Sequence, residues 1–267
     1  MTNSLLVVEG AHDAAFFAIL LKARGFTEVK YLAQVPDDWR SVIPRTFPAK
    51  NDGHLNRVNR FPTLLVRGAD TFGVVVSNGD SGVVRELIDA VDTLGVPLLD
   101  AIGIAIDADK ALSPEDRHSG MIAELDAMNT SAIDEARPGY PLPIPRAMGV
   151  IVPGPPKMGV FVFPDGQRQG SLETVLLECA ALNVELIHRA AVQLVEEVNE
   201  NYPRPHPLLI PLRKGSGVEK AAVGIIANIV KPGDSLAVSL LTNHWLGADP
   251  ADRPSAAAAE TFLDALI

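Results

Sequence analysis

LLVVEGAHDAAFFAILLKARGF, residues 5–26, is the stretch that decides the fold class. Its first four residues form a short apolar run closed by Glu9-Gly10, the pattern of a buried strand. Beyond the turn, Ala15, Phe16, Ile19, Leu20 and Ala23 recur at helical spacing, and Gly25 stands where such a helix stops. Strand, tight turn and helix in that order open an α/β protein.

Working outward, residues 73–77 (GVVVS) and 101–106 (AIGIAI) read as further strands, with a helix through VVRELIDAVDTLG between them. Ser113-Pro114-Glu115 is a helix start, with a capping residue and a proline in the first turn. Residues 148–152 and 159–163 flank the turn PGPPK and predict an antiparallel hairpin. Residues 29–33 predict a strand, and 208–212 an extended segment. Apolar spacing predicts one long helix from Ser171 to Glu200, ended by NYPRPHP. Gly217 to Ile229 predicts another, stopped by Lys231-Pro232-Gly233, and a last helix begins near Ser255. Residues 34–70 lose periodicity and carry four prolines and a basic, polar cluster around Lys50, His54, Arg57 and Arg60. A loop that long inside a compact domain is either functional or a plain surface insertion. The alternation of strands and helices predicts a parallel sheet flanked by helices.

The chain has 267 residues, which suits a single domain with an elaborated tail: a core over about 1–180 and an α-rich extension over about 181–267. It is 47% hydrophobic but only 5% aromatic, so the predicted core is aliphatic, as in buried parallel strands. The net charge of −10 lowers the expectation of nonspecific duplex binding without excluding a local basic patch. Cys179 is the single cysteine, which rules out an internal disulfide and a cysteine-based zinc site and suggests a reducing compartment. It sits in an apolar helical run and reads as core. The N-terminal apolar run is too short for a secretory segment, and no stretch approaches the roughly 18 apolar residues of a membrane span. A cytoplasmic protein is expected.

Ligands in open α/β sheets bind at the carboxyl ends of the strands. Here those ends carry acids: Glu9 after the first run, Asp80 in NGDSG, Asp107-Ala108-Asp109 after AIGIAI, and Asp165 after VFVF. Taken singly, each is also an ordinary turn or cap residue. Taken together, carboxylates crowded at one sheet edge call for a cation, and oxygen donors select Mg²⁺ or Mn²⁺. Glu173, in the first turn of a helix, is either a dipole-favoured acid or a further ligand beside Asp165. Lys214 and Lys220 are either surface lysines or groups that neutralise phosphate. The NGDSG turn is also compatible with a small phosphate site at a helix N-terminus. A Gly-x-x-x-x-Gly-Lys-Ser/Thr loop and a Gly-x-Gly-x-x-Gly fingerprint are both absent from the sequence.

LLVVEGAHDAAFF followed by IAIDAD at 104–109 resembles the Toprim domain, which is shared by topoisomerases, bacterial primases, overcoming-lysogenization-defect-type nucleases and recombination mediators. The resemblance covers residues 1–110. GVFVFPDGQRQGSLETVLLE and KGSGVEKAAVGIIANI are similar to an uncharacterised bacterial Toprim-like family, which extends the likeness across most of the chain. It implies a Toprim-like, Rossmann-like fold with a Mg²⁺-dependent phosphoryl-transfer site. By family role, Glu9 is the general acid/base, and Asp107 and Asp109 hold Mg²⁺ (or Mn²⁺). Asp80, Asp165, Glu173, Lys214 and Lys220 are additional candidates. The chain departs from the family in two ways: Lys110 follows the Asp-X-Asp, and Tyr31, Tyr140 and Tyr202 lie beside loop-like sequence rather than where a topoisomerase nucleophile is needed. The expected activity is that of a metal-dependent nuclease or phosphotransferase acting on DNA or RNA. The alternative is a scaffold without chemistry that works as a homo-oligomer or with a protein partner.

Overall fold

The structure is a computed structural model, and it describes residues 2–43, 62–77, 79, 82–108, 112–243, 245–247, 249 and 252–267. Among these the strands form one sheet in the order β2-β3-β4-β1-β5-β7-β6, built from β1 (Asn3–Val8), β2 (Thr27–Glu28), β3 (Thr63–Arg67), β4 (Asp70–Val76), β5 (Ala101–Asp107), β6 (Ile151–Val152) and β7 (Lys157–Phe163). The helices are α1 (Ala11–Ala23), α2 (Val83–Leu94), α3 (Pro114–Asp134), α4 (Leu172–Asn183), α5 (Glu185–Asn201), α6 (Gly217–Val230), α7 (Leu236–Asn243) and α8 (Ala257–Leu266). The chain divides into two compact units: residues 1–105, 119–160 and 263–267, and residues 106–118 and 161–262.

In the first unit, β1 lies between two parallel neighbours, with Val8 opposite Val76 of β4 on one side and Ala105 of β5 on the other. All six residues of β1 are buried, as a strand covered on both faces requires. Each buried Leu or Val there contributes roughly 1.5–3 kcal/mol. The polar residues of β1 are satisfied. The Asn3 backbone N–H donates to Asp100 Oδ2 (2.7 Å), Asn3 Oδ1 accepts from Trp39 Nε1 (3.0 Å), and Ser4 Oγ donates to the Leu266 carbonyl (3.1 Å). Trp39, fully buried, lies against Gly73, where any Cβ would overlap its ring. The connection from β1 leads to β4 on one side, and the next leads from β4 to β5 on the other. β1 and β5 therefore flank the point where the strand order reverses.

The sheet is mixed rather than parallel. β3 runs antiparallel to β4, β2 antiparallel to β3, and β6 antiparallel to β7 as the hairpin expectation required. β3 falls inside the segment 34–70 that reads as aperiodic. Its five residues are too few to show a period, and Pro62 precedes them directly. The basic cluster Lys50, His54, Arg57 and Arg60 lies outside the described residues.

Three further expectations are corrected. Residues 29–33 are not a strand: Leu32–Gln34 is a short 3-10 turn, with Tyr31 and Leu32 exposed. Residues 208–212 are not extended, because Pro207–Leu209 is a 3-10 turn that continues into further turns. The single helix expected over 171–200 is two, broken at Val184 (φ −140°, ψ 47°). Asn183 supplies a physical reason, since its side-chain Nδ2 donates to the Cys179 carbonyl four residues back and to the Asp252 carbonyl. A side chain that competes for helix carbonyls favours a break. α7 follows Gly233 (φ 87°) and was not anticipated.

In the second unit, helices α4 to α7 pack on one another around Leu176, Cys179, Ala191, Val195, Val223 and Ile226. Cys179 is fully buried, as expected for a core cysteine. Burial pushes its thiol pKa up against the opposing effect of the Ser255 hydroxyl.

Candidate functional site

Glu9 leaves the carboxyl end of β1 half-buried, and its position is set by its backbone. The Glu9 carbonyl accepts from the Gly79 N–H (3.0 Å), and the Val8 carbonyl accepts from the Ser77 N–H (2.9 Å). The Ser77 hydroxyl, itself buried, donates to the Gly79 carbonyl (2.8 Å) and lies 3.4 Å from the Glu9 carbonyl. The turn after β4 is thus tied to the turn after β1. Gly82 belongs to the same arrangement, because a Cβ there would stand 2.9 Å from the Ser77 carbonyl. On the other side of Glu9, the Gly10 N–H donates to Asp13 Oδ2 (2.7 Å). Asp13 is only 7% exposed and sits in the first turn of α1, where a carboxylate meets the N–H groups a helix leaves over. Asp13 is a residue the sequence reading missed, although an acid at the third helical position after a glycine was the available signal.

In the second unit, Asp107 closes β5 and is half-buried. Its Oδ1 accepts from the Leu172 N–H at the start of α4 (2.9 Å), and its carbonyl accepts from Arg117 Nε (3.0 Å). The next residue is pinned by the Ala108 N–H to the Phe163 carbonyl (3.4 Å). Arg117 was not anticipated, since nothing in its sequence neighbourhood pairs it with a residue ten positions earlier. Beside Leu172, the Ser171 hydroxyl donates to Glu173 Oε2 (2.8 Å), and both residues are buried, Glu173 at 4% exposure. Glu173 is therefore more than a solvated first-turn acid.

Asp165 is engaged by its own turn. Its Oδ1 accepts from the Gln167 and Arg168 N–H groups (2.9 Å each), and its Oδ2 from Arg168 Nε (2.6 Å). Arg168 also reaches Glu178 (2.8 Å). Burial pushes the Asp165 carboxyl up, but the Arg168 N–H, the Arg168 guanidinium and the Gln167 N–H outweigh it and hold it below the usual carboxylate range. Lys214 is exposed in the turn before α6, and Lys220 is exposed in the first turns of α6. Asp80 and Asp109 lie outside the described residues.

Among the described residues, no three His, Cys, Asp or Glu side chains form a group that could hold a metal ion. Taken singly, a carboxylate is a hard oxygen donor, of the kind that suits Mg²⁺, Mn²⁺ or Ca²⁺ rather than a softer ion.

The features described define a mixed α/β protein whose central parallel strands end in carboxylates. The chain belongs to DUF3226, a family of proteins of unknown function, whose match spans residues 3–246. Among solved structures, the chain is similar to the hypothetical protein PH0156 from Pyrococcus horikoshii OT3, at 17% identity and a TM-score of 0.57 over 98% of this chain and 100% of that one. That likeness is one of fold. None of the curated proteins compared with the chain matches it. No helix among the described residues is long and apolar enough to cross a membrane.

Proposed function

We propose that the protein binds Mg²⁺ (or Mn²⁺) through Asp107 and Asp109 in a Toprim-like fold, and uses Glu9 as a proton-transfer group in phosphoryl chemistry on nucleic acid. One observation carries the reading: Glu9 follows β1 and Asp107 ends β5, and these two strands pair in parallel, Val8 opposite Ala105, where the strand order reverses. When bound, the ion would neutralise charge on phosphoryl oxygens. Asp107 and Asp109 would hold it. Glu9 would take or deliver a proton at its carboxylate, with its backbone fixed by Gly79. Asp80, Asp165, Glu173, Lys214 and Lys220 are secondary. Of these, Glu173 has the strongest support, through its burial and its bond to Ser171.

The test is a Mg²⁺ and Mn²⁺ titration of the wild type and of Asp107→Asn/Asp109→Asn, read by thermal unfolding. A metal-dependent rise in stability that the double variant lacks supports the site; equal responses overturn it. A screen on single- and double-stranded DNA and RNA follows, with Glu9→Gln expected to remain folded and inactive.

A second reading, a scaffold without chemistry, is favoured by a different observation. In the second unit Leu186 and Leu208 are 69% and 82% exposed, and Leu182, Leu194 and Tyr202 are exposed as well. Apolar surface of this kind marks contact with another protein or another copy. A concentration-dependent mass, together with no metal response, would favour it.

A further inference from the structure

We propose that the exposed face of α5 joins two copies of this chain, the two helices antiparallel, with Arg189 of each copy opposite Glu197 of the other. The inference rests on the reading of the second unit's apolar surface as an interface and names its occupant. It holds with or without chemistry at the carboxylates.

α5 is packed on one side only. Its buried residues are Ala191 and Val195, and it packs against α4 and α6. The opposite side carries two neighbouring rows at a spacing of four, the spacing that aligns side chains along a helix. One row is apolar: Leu186, Ala190, Leu194 and Val198, with Tyr202 next in line just past the helix end. Leu186, Leu194 and Tyr202 in it are 69%, 50% and 50% exposed. The other row is Glu185, Arg189, Gln193, Glu197 and Asn201, and every member is exposed. An apolar row flanked by a charged one is the surface of a helix that pairs with another.

The charged row selects the occupant and the register. Laid parallel and in register on itself, it sets Glu185 on Glu185, Arg189 on Arg189 and Glu197 on Glu197, and repels at each. Laid antiparallel and centred on Gln193, it sets Arg189 opposite Glu197 twice and Glu185 opposite Asn201 twice. A slide of one turn in one direction brings Glu185 opposite Glu197, which repels. A slide of one turn in the other brings Arg189 opposite Asn201 and Gln193 opposite Glu197, which pairs no charges. Of these arrangements, the centred antiparallel one alone matches opposite charges. In it the apolar rows lie along each other, Leu194 beside Leu194 near the twofold axis and Leu186 toward Tyr202. The contact is its own complement and closes as a dimer, which singles out a second copy over a different protein. Within one chain, Arg189 reaches Glu185 at 3.7 Å, and Glu197 accepts from Gln193 Nε2 at 3.0 Å. Both contacts are exposed and span one helical turn, so they compete weakly with a charge pair between copies.

The experiment is sedimentation velocity of the full chain over a range of concentrations, with circular dichroism to confirm folding. The samples are wild type, Arg189→Glu, Glu197→Arg, and an equal mixture of the two variants. Each variant alone sets like charges opposite at both contacts, whereas the mixture restores opposite charges at both. The wild type is expected to form a concentration-dependent dimer, each variant to dimerise roughly tenfold or more weakly, and the mixture to return to within about threefold of the wild type. A wild type that stays monomeric overturns the second copy as occupant, and a different protein is then what the interface reading requires. A dimer that neither reversal weakens overturns the inference and the interface reading of this surface together. Reversals that weaken the dimer singly and are not restored by mixing overturn the inference alone, since the surface is then an interface paired in another way. Should a reversal disturb the fold, Leu194→Gln removes the apolar contact at the twofold axis. A dimer weakened by it supports the inference, and an unchanged one overturns it.

Discussion

β5 ends on Asp107, and Asp165 stands in the turn that follows β7, but the two carboxylates are held by different chemistry. Asp165 is surrounded by donors from its own turn and by the Arg168 guanidinium, so its charge is neutralised locally. Asp107 Oδ1 accepts a backbone N–H from a helix start 65 residues away, and its carbonyl accepts from Arg117 Nε. An arginine on a carboxylate competes directly with a cation, whereas a helix N–H chiefly orients the group. Two Asp residues at the ends of apolar strands look alike in sequence. Their partners distinguish them: Asp165 is tied into its own turn, and the proposed metal role falls to Asp107.

The sharpest way to break this comparison is to ask which aspartate an added ion depends on. At an ion concentration about 100-fold above its dissociation constant, binding stabilises a protein by about 2.7 kcal/mol. That gain is expected in the wild type and in Asp165→Asn, and is expected to vanish in Asp107→Asn/Asp109→Asn, as read by denaturant unfolding with and without Mg²⁺. A gain that disappears in Asp165→Asn instead would reverse the assignment.

Next in size is the buried pair beside the Asp107 anchor. Ser171→Ala leaves Glu173 Oε2 without its hydroxyl donor at a site that is 4% exposed, so a loss of about 1–3 kcal/mol is expected in chemical denaturation. A loss within experimental error would show that the start of α4 tolerates rearrangement, which would also weaken its claim to orient Asp107.

Asp107 itself separates the two roles when metal is withheld. Asp107→Ala removes the acceptor for the Leu172 N–H and should lose about 1 kcal/mol, as when a helix-capping side chain is deleted. Asp107→Asn keeps a carbonyl acceptor and should lose less. If the two variants are equally destabilised in the absence of metal, the charge rather than the hydrogen bond holds α4.

Much of this was legible in the sequence, for identifiable reasons. β1, β4 and β5 announce themselves through the continuous apolar runs that a covered strand requires, and α1 through the glycine turn before it and the helical apolar spacing within it. The acids at Glu9 and Asp107 were legible for the same reason, since they interrupt runs that are otherwise continuous. β3 was not, because five residues paired antiparallel at the side of the parallel core carry no period of their own. The break at Val184 was hidden because apolar spacing continues through it, while its cause is a side chain of Asn183 reaching Asp252, 69 residues on. The partners of Asp107 were hidden likewise. Leu172 acts through its backbone, which no residue type encodes, and Arg117 looks like any charged residue in a helix's first turn. Sequence thus locates the carboxylates, and tertiary contacts decide what each one does.

The smallest expected effect concerns Asp165 and tests the other half of the comparison. Its folded carboxyl titrates below the ordinary value of 3.8, so it binds fewer protons in the folded chain than in the unfolded one over that range. The stability it contributes is therefore fully present above the ordinary value and is lost as pH falls through the lowered one. Asp165→Asn keeps an acceptor for the Gln167 and Arg168 N–H groups and removes only the charge opposite Arg168. That guanidinium is 52% exposed, so solvent screening limits the effect to about 0.5 kcal/mol. Unfolding measured across pH should show the variant weaker by that amount at neutral pH, with the gap closing in acid and in molar salt. A gap that stays constant from neutral pH into acid would mean that Arg168 does not neutralise Asp165 as its position implies, and the distinction between the two aspartates would then rest on Asp107 alone.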